Sequence, residues 1–141
     1  MTETQPTIAQ KIARAAIAFQ RESTGIAPES VTVLLGEKTL VVTMQDALSP
    51  AEKQMASSPE GAARVNEFHQ RLFQSSAPAL HDELQRILGV EIRESSIGME
   101  PTSGRFVEVY PSGALVQVFL LTRAVASETW STPKTKNIPK P

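Results

Sequence analysis

The sequence predicts an α+β domain in which a four-stranded, mainly antiparallel sheet is covered by an N-terminal helix and a long kinked helix. Three observations predict it. Apolar residues recur at helical spacing near the N-terminus and again in the middle of the chain. Between and after those segments apolar and polar residues alternate, as in strands. The chain has 141 residues, enough for one domain with its own core, and the predicted order of elements is α-β-β-α-α-β-β.

The first helix is predicted to start after Thr7, which fits a capping box with Gln10, and to end near Gly25. Its apolar face comprises Ile8, Ile12, Ala15, Ala16 and Phe19. A hairpin is predicted next, because residues 31–35 and 40–44 alternate around a turn at Gly36-Glu37-Lys38.

Two helices follow the hairpin. Ser49 can cap a short helix in which Pro50 takes the first position and Glu52 reaches back to the cap. The second is long, because apolar residues step by three or four from Val65 to Ile87 and keep one register across Pro78. That register favours one helix kinked at Pro78, although a break there is the alternative.

The rest of the chain predicts strands and then a tail. Gly89 is expected to end the long helix, and strands are expected from Val90 and over residues 106–110. A tight turn at 111–113 leads into residues 114–121, which are apolar on both faces and so suit a central or interface strand. The predicted domain spans residues 1–126, and residues 127–141 are predicted to be a disordered tail that contains proline and lysine.

Composition excludes several function classes. The absence of cysteine excludes disulfides and sulfur-based metal sites and suits a reducing cytoplasm. With 14 basic and 15 acidic residues, the charge balance is unlike that of nonspecific nucleic-acid binders. The apolar runs are too short to span a bilayer, so we expect no direct membrane insertion. No metal-ligand or nucleotide-loop motif is present, so we expect no cofactor.

Several short motifs, in this order and at these spacings, resemble the MpsC-type family, which is named for a sodium-translocating, membrane-potential-generating system. They are Thr24-Gly25-Ile26-Ala27-Pro28, Leu48-Ser49-Pro50-Ala51-Glu52, Glu60-Gly61, Leu88-Gly89-Val90 and Val116-Gln117-Val118-Phe119-Leu120-Leu121. The resemblance implies a non-enzymatic cytoplasmic accessory or regulatory protein, linked through a membrane transport protein to ion or inorganic-carbon (bicarbonate) transport. His69 and Gln70 occupy places where the family often has arginines, which implies a changed partner or ligand if those positions form its working surface.

Two features compete for a chemical role. His69 and His81 lie about 18 Å apart along one helix, too far to chelate one ion, so they are interpreted as surface or boundary residues. Ser58-Pro59-Glu60-Gly61 sits where a type II KH domain carries its glycine-flanked loop, which makes a KH-like RNA-binding module the alternative function. Pro59 and Glu60 oppose a phosphate clamp, and the capped start of a helix is the preferred interpretation of this segment.

The sequence therefore predicts a homodimer and a surface for a partner or ligand, without catalytic residues. An enzyme with an unrecognised site is the remaining rival. Trp130, in the predicted tail, either packs back on the domain or docks onto a partner. The candidate surface residues are Glu52, Glu60, Gly61, Arg64, His69, Arg71 and Trp130.

Overall fold

The structure is a computed structural model that describes residues 5–97, 99–100, 105–106 and 114–133. Its helices are α1 (Ile8–Thr24), α2 (Pro50–Met55) and α3 (Pro59–Leu88). Its strands are β1 (Ser30–Gln45), β2 (Ile92–Ile97), β3 (Met99–Glu100), β4 (Arg105–Phe106) and β5 (Leu115–Ser131). Most of the strand predicted at 106–110 and the turn at 111–113 lie outside the described residues.

Each helix begins at the side chain that the sequence predicted as its cap. The hydroxyls of Thr7, Ser49 and Ser58 accept hydrogen bonds from the backbone N–H three residues later. Gly25 and Gly89 end α1 and α3 in the left-handed conformation. The capped helix starts are thus confirmed, and α3 continues through Pro78 as one helix.

The antiparallel sheet has three hydrogen-bonded strands in the order β1-β5-β2, and β3 pairs with β4 separately. The prediction of an α+β fold with an antiparallel sheet is confirmed, but the prediction of four strands is wrong. The element order in the described residues is α-β-α-α-β-β-β-β, so the KH-like order is not confirmed. The difference arises because segments predicted as separate strands form long continuous ones that pair with each other along most of their length.

Strand β1 nevertheless doubles back on itself. The backbone N–H of Glu29 donates to the carbonyl of Gln45 at 2.9 Å. A straight strand of this length would separate those residues by about 50 Å, at about 3.3 Å per residue. The reversal falls near Glu37, which has a φ of 52° and lies between two register shifts in the pairing with β5. The fold-back required by the predicted hairpin is therefore present within β1.

Strand β5 wraps around this folded strand. Residues 115–120 of β5 pair with residues 39–44, the returning arm of β1, whereas residues 125–131 pair with residues 32–37, the outgoing arm. Because the two arms of β1 lie side by side, the two halves of β5 must flank them on opposite sides. The N-terminal half of β5 also pairs with β2.

The boundary predicted at residue 127 is wrong for residues 127–131, which belong to β5. They are ordered because residues 128–131 each face a partner in β1, with Ser131 opposite Thr32 and Trp130 opposite Val33. The side chain of Glu128 also accepts a hydrogen bond from the backbone N–H of Ala9, at the start of α1. Residues 134–141 of the predicted tail lie outside the described residues.

The two faces of the sheet differ. The inner face packs against α1 and α3 and is fully or nearly fully buried; it comprises Val31, Val33, Leu35, Leu40, Val42, Met44, Leu115, Gln117, Phe119 and Leu121. The opposite side, here called the outer face, alternates with it along the same strands. Its members are half-buried apart from the exposed Leu34 and are Thr32, Leu34, Thr39, Val41, Thr43, Val116, Val118 and Leu120.

Candidate functional site

The residues predicted to form one partner or ligand surface lie in four different places. Glu52 and His69 form a pair inside the junction of α2 and α3. Glu60, Gly61 and Arg64 line a shallow depression at the start of α3, with Gln54, Met55 and Ser58. The other two predicted residues, Arg71 and Trp130, lie elsewhere on α3 and β5.

The carboxylate of Glu52 is shared between a helix cap and a buried histidine. One oxygen accepts from the backbone N–H of Ser49 at 2.8 Å, and the other is 2.9 Å from Nε2 of His69. The Ser49 hydroxyl in turn accepts from the N–H of Glu52 at 3.1 Å. Both oxygens of Glu52 are thus used within the fold.

The interpretation of His69 as a surface or boundary residue is wrong, because its side chain is only 2% exposed. It lies on the stripe of α3 that holds Val65 and Phe73, four residues to either side, and this stripe faces the core. An ionised carboxylate can only accept, so Nε2 carries the proton in the bond to Glu52. The pair fixes the imidazole's orientation and joins α2 to α3.

Gly61 allows α2 and α3 to approach closely. A Cβ at this position would overlap the carbonyl of Met55, far inside normal contact. Its backbone N–H is already used, since it donates to the Ser58 hydroxyl at 3.0 Å. The preferred interpretation of this segment as a capped helix start is therefore confirmed, and the N–H of Gly61 serves the cap of α3.

An exposed stripe runs along α3 from the depression toward the middle of the helix. We call it the α3 stripe, and it consists of Glu60, Arg64, Phe68 and Arg71, which share one side of the helix at spacings of three and four. Phe68 is 49% exposed, one of few large apolar side chains at the surface of the described residues. Arg71 pairs with Glu67 at 2.9 Å in the open, where such a pair contributes little to stability.

Trp130 lies far along the chain from this surface and packs on the domain. It is half-buried, stands opposite Val33 and contacts the hydrophobic core. Of the two roles that the sequence left open for Trp130, packing against the domain is the one that the structure shows.

The second histidine, His81, is half-buried and meets the ring of Phe119 edge-on, with ring centroids 6.1 Å apart. Burial lowers the pKa of His81 from its ordinary value, because the imidazolium loses hydration, and the charge of Asp82 partly opposes this. The described part of the chain holds no group of three or more His, Cys, Asp or Glu residues placed to bind a metal ion.

Sequence reasoning missed a polar cavity beneath α3. It has a volume of about 20 Å³ and is lined by Gln20, Ser23, Thr24, His69, Leu72, Phe73, Ser76 and Gln117. Gln20 and Gln117 are 7% and 5% exposed. The sequence carried a signal for the burial of both residues. Gln20 follows Ala9, Ile12 and Ala16 on the buried side of α1, and Gln117 lies between Leu115 and Phe119 on the buried side of β5.

Comparison with known proteins identifies one family. A model of the family described as Na+-translocating membrane potential-generating system (MpsC) matches residues 4–111. No curated protein and no solved structure matches the chain. None of the helices in the described ranges is long and apolar enough to cross a membrane.

Proposed function

The chain belongs to the MpsC family, and from that premise we propose that it is a non-enzymatic accessory or regulatory protein of a membrane ion-transport system. The observation that carries this proposal is the match to a family named for sodium translocation and membrane potential. In this proposal the chain is cytoplasmic and is held at the membrane by binding to a transport protein. A system that takes up inorganic carbon as bicarbonate is the narrower form of the proposal.

The geometry around Glu52 and His69 supports a role without catalysis. General acid–base catalysis requires a group that can reach the substrate's proton. Here the imidazole of His69 is 2% exposed and both oxygens of Glu52 have partners within the fold. We assign this pair to the cohesion of α2 and α3.

We assign recognition of the transport protein to the α3 stripe. It combines an exposed aromatic ring, Phe68, with the charged ends of Glu60, Arg64 and Arg71. Protein interfaces are enriched in aromatic residues and arginine, and a few such residues dominate their binding energy. The depression beside Glu60 and Arg64 is also lined by Met55, which is 45% exposed and adds an apolar wall.

The test is recovery of membrane proteins from detergent-solubilised native membranes by immobilised full-length protein. We expect the wild-type chain to recover a multi-pass transport protein. A double variant with Phe68→Ala and Arg64→Ala should reduce that recovery at least tenfold. Ile8→Ala is the matched control, because Ile8 is 40% exposed but lies on α1. Recovery of no transport protein would contradict the proposed function, whereas equal recovery by all variants would contradict only the assignment to the α3 stripe.

We further propose that the chain is a homodimer whose two-fold contact is the outer face. This face carries Leu34, Val41, Val116, Val118 and Leu120, and the α1 and α3 helices pack on the opposite side of the sheet. Identical subunits commonly pair through one self-complementary patch. Strand residues 114–121 thus supply one face to the core and the other to the proposed contact.

A further inference from the structure

The polar cavity between α1, α3 and β5 has an unusual lining. Gln20, His69 and Gln117 are all of the buried polar or charged side chains in the described part of the chain, and all three line it. They come from three different elements, so their meeting is a property of the fold. Buried polar groups in folded proteins almost always have hydrogen-bond partners.

Two of these side chains, Gln20 and Gln117, each have a buried polar atom without a hydrogen-bond partner. Nε2 of Gln20, a donor, and Oε1 of Gln117, an acceptor, are both buried and make no hydrogen bond. They lie too far apart, or too poorly aligned, to bond directly. A buried donor or acceptor without a partner destabilises the folded state, and a molecule that bonds to both groups would offset that loss.

The size and charge of the cavity restrict what this molecule can be. A volume of about 20 Å³ exceeds the roughly 10–15 Å³ that one water requires, so the cavity is of the size that one water fills. The histidine in the lining is already paired with the carboxylate of Glu52, and the other lining side chains are neutral. An ion would therefore enter without a countercharge, which is strongly unfavourable.

We propose that this cavity binds one water molecule, which accepts a hydrogen bond from Nε2 of Gln20 and donates one to Oε1 of Gln117. The hydroxyls of Thr24 and Ser76 in the same lining already donate to the backbone carbonyls of Gln20 and Leu72, so they can accept the water's second hydrogen. The Ser23 hydroxyl can donate to the water. The water links α1 to β5 beneath α3. With this water bound, the buried amides of Gln20 and Gln117 both have a hydrogen-bond partner within the core.

The direct test is an experimental structure of the full chain at a resolution that shows ordered water. We expect one peak of density within hydrogen-bond distance of both amide groups. Magnetic relaxation dispersion should show the same molecule exchanging slowly with bulk water. An empty cavity, or density that requires an ion or a larger molecule, would overturn the proposal.

A double-mutant cycle tests the bridge by stability. Gln20→Met and Gln117→Met each leave the other amide unsatisfied, so each should lower the folding equilibrium constant about tenfold or more. The double variant removes both unsatisfied groups and should lose clearly less than the product of the single losses. Gln74→Met, at an exposed position of α3, is the control for the substitution itself. Losses that simply multiply would contradict a shared water.

Discussion

At the residue scale, the Glu52–His69 pair shows how one carboxylate can serve two structural purposes. Glu52→Ala removes the acceptor at the cap of α2 and leaves the buried imidazole without its partner. We expect a loss of about 2–3 kcal/mol in the free energy of unfolding, measured by urea denaturation. Arg71→Ala breaks only the exposed pair with Glu67 and should cost less than about 0.5 kcal/mol. Equal losses for the two variants would mean that the buried pair is not structural.

At Gly61, the direction in which an alanine substitution changes stability is itself informative. In an ordinary helix, replacing glycine with alanine stabilises by about 0.5–1 kcal/mol. At Gly61 the new Cβ would overlap the backbone carbonyl of Met55, which cannot move without displacing α2. We therefore expect Gly61→Ala to lower the thermal unfolding midpoint by several degrees. A raised midpoint would show that α2 can move away freely.

His81 makes stability depend on pH in a direction that follows from its lowered pKa. In the unfolded chain its pKa returns to about 6.5, so on acidification the unfolded state takes up a proton before the folded state does. The free energy of unfolding should fall as the pH drops through about 6.5 and level off below the folded pKa. His81→Leu should remove this part of the pH dependence while leaving that of the carboxylates. Parallel stability curves for the two proteins between pH 7.5 and 5 would contradict the prediction.

The sequence predicted the roles of residues whose partners lie within a few positions along the chain. Ser49 and Glu52 lie three positions apart, so their capping box could be read directly from the sequence. The hydrogen bond from His69 to Glu52 depends on how α2 meets α3, so spacing along the chain gave no sign of it. His69 shares its stripe with Val65 and Phe73, which could have indicated burial.

At the scale of elements, helices were easier to predict than strand pairings. The start and end of α1 and α3 depend on caps within a few residues, whereas β5 is defined by partners about 70 to 100 positions away in β1. Residues 127–131 lack a strong apolar pattern of their own. They form a strand because their backbone pairs with the outgoing arm of β1. The residue pattern within one segment does not show which distant segment will pair with it.

The C-terminal end of β5 gives a prediction about truncation. Deleting residues 127–141 removes the partners of the outgoing β1 arm, the packing of Trp130 and the bond from Ala9 to Glu128. We expect this deletion to lower the thermal unfolding midpoint by 10 °C or more, roughly the effect of losing about 3 kcal/mol in a domain of this size. Deleting only residues 134–141 removes none of the described contacts and is the control. Similar midpoints for both truncated proteins would show that strand residues 127–131 contribute little.

At the scale of the whole molecule, the inner face of the sheet forms the core, and the outer face is the one to which we assign the proposed dimer contact. Phe119 lies on the inner face, is 0% exposed and meets Phe73 at a ring distance of 6.0 Å. An aspartate there would unfold the domain, so Phe119→Asp cannot probe a contact between subunits. Val118 and Leu120, which flank Phe119 in β5, point to the outer face, so substitutions there can probe such a contact.

The homodimer is therefore best tested with Leu34→Glu, on the outer face, against Ile8→Glu, on α1. These side chains are 49% and 40% exposed within the subunit, so neither change buries a charge in the folded monomer. At tens of micromolar, light scattering should give twice the mass of the chain for the wild type and for Ile8→Glu. Leu34→Glu should give the monomer mass with an unchanged circular dichroism spectrum, because each subunit would bring an unpaired carboxylate into a contact that excludes water. A monomeric wild type would rule out the dimer, and a dimeric Leu34→Glu would place the contact elsewhere on the chain.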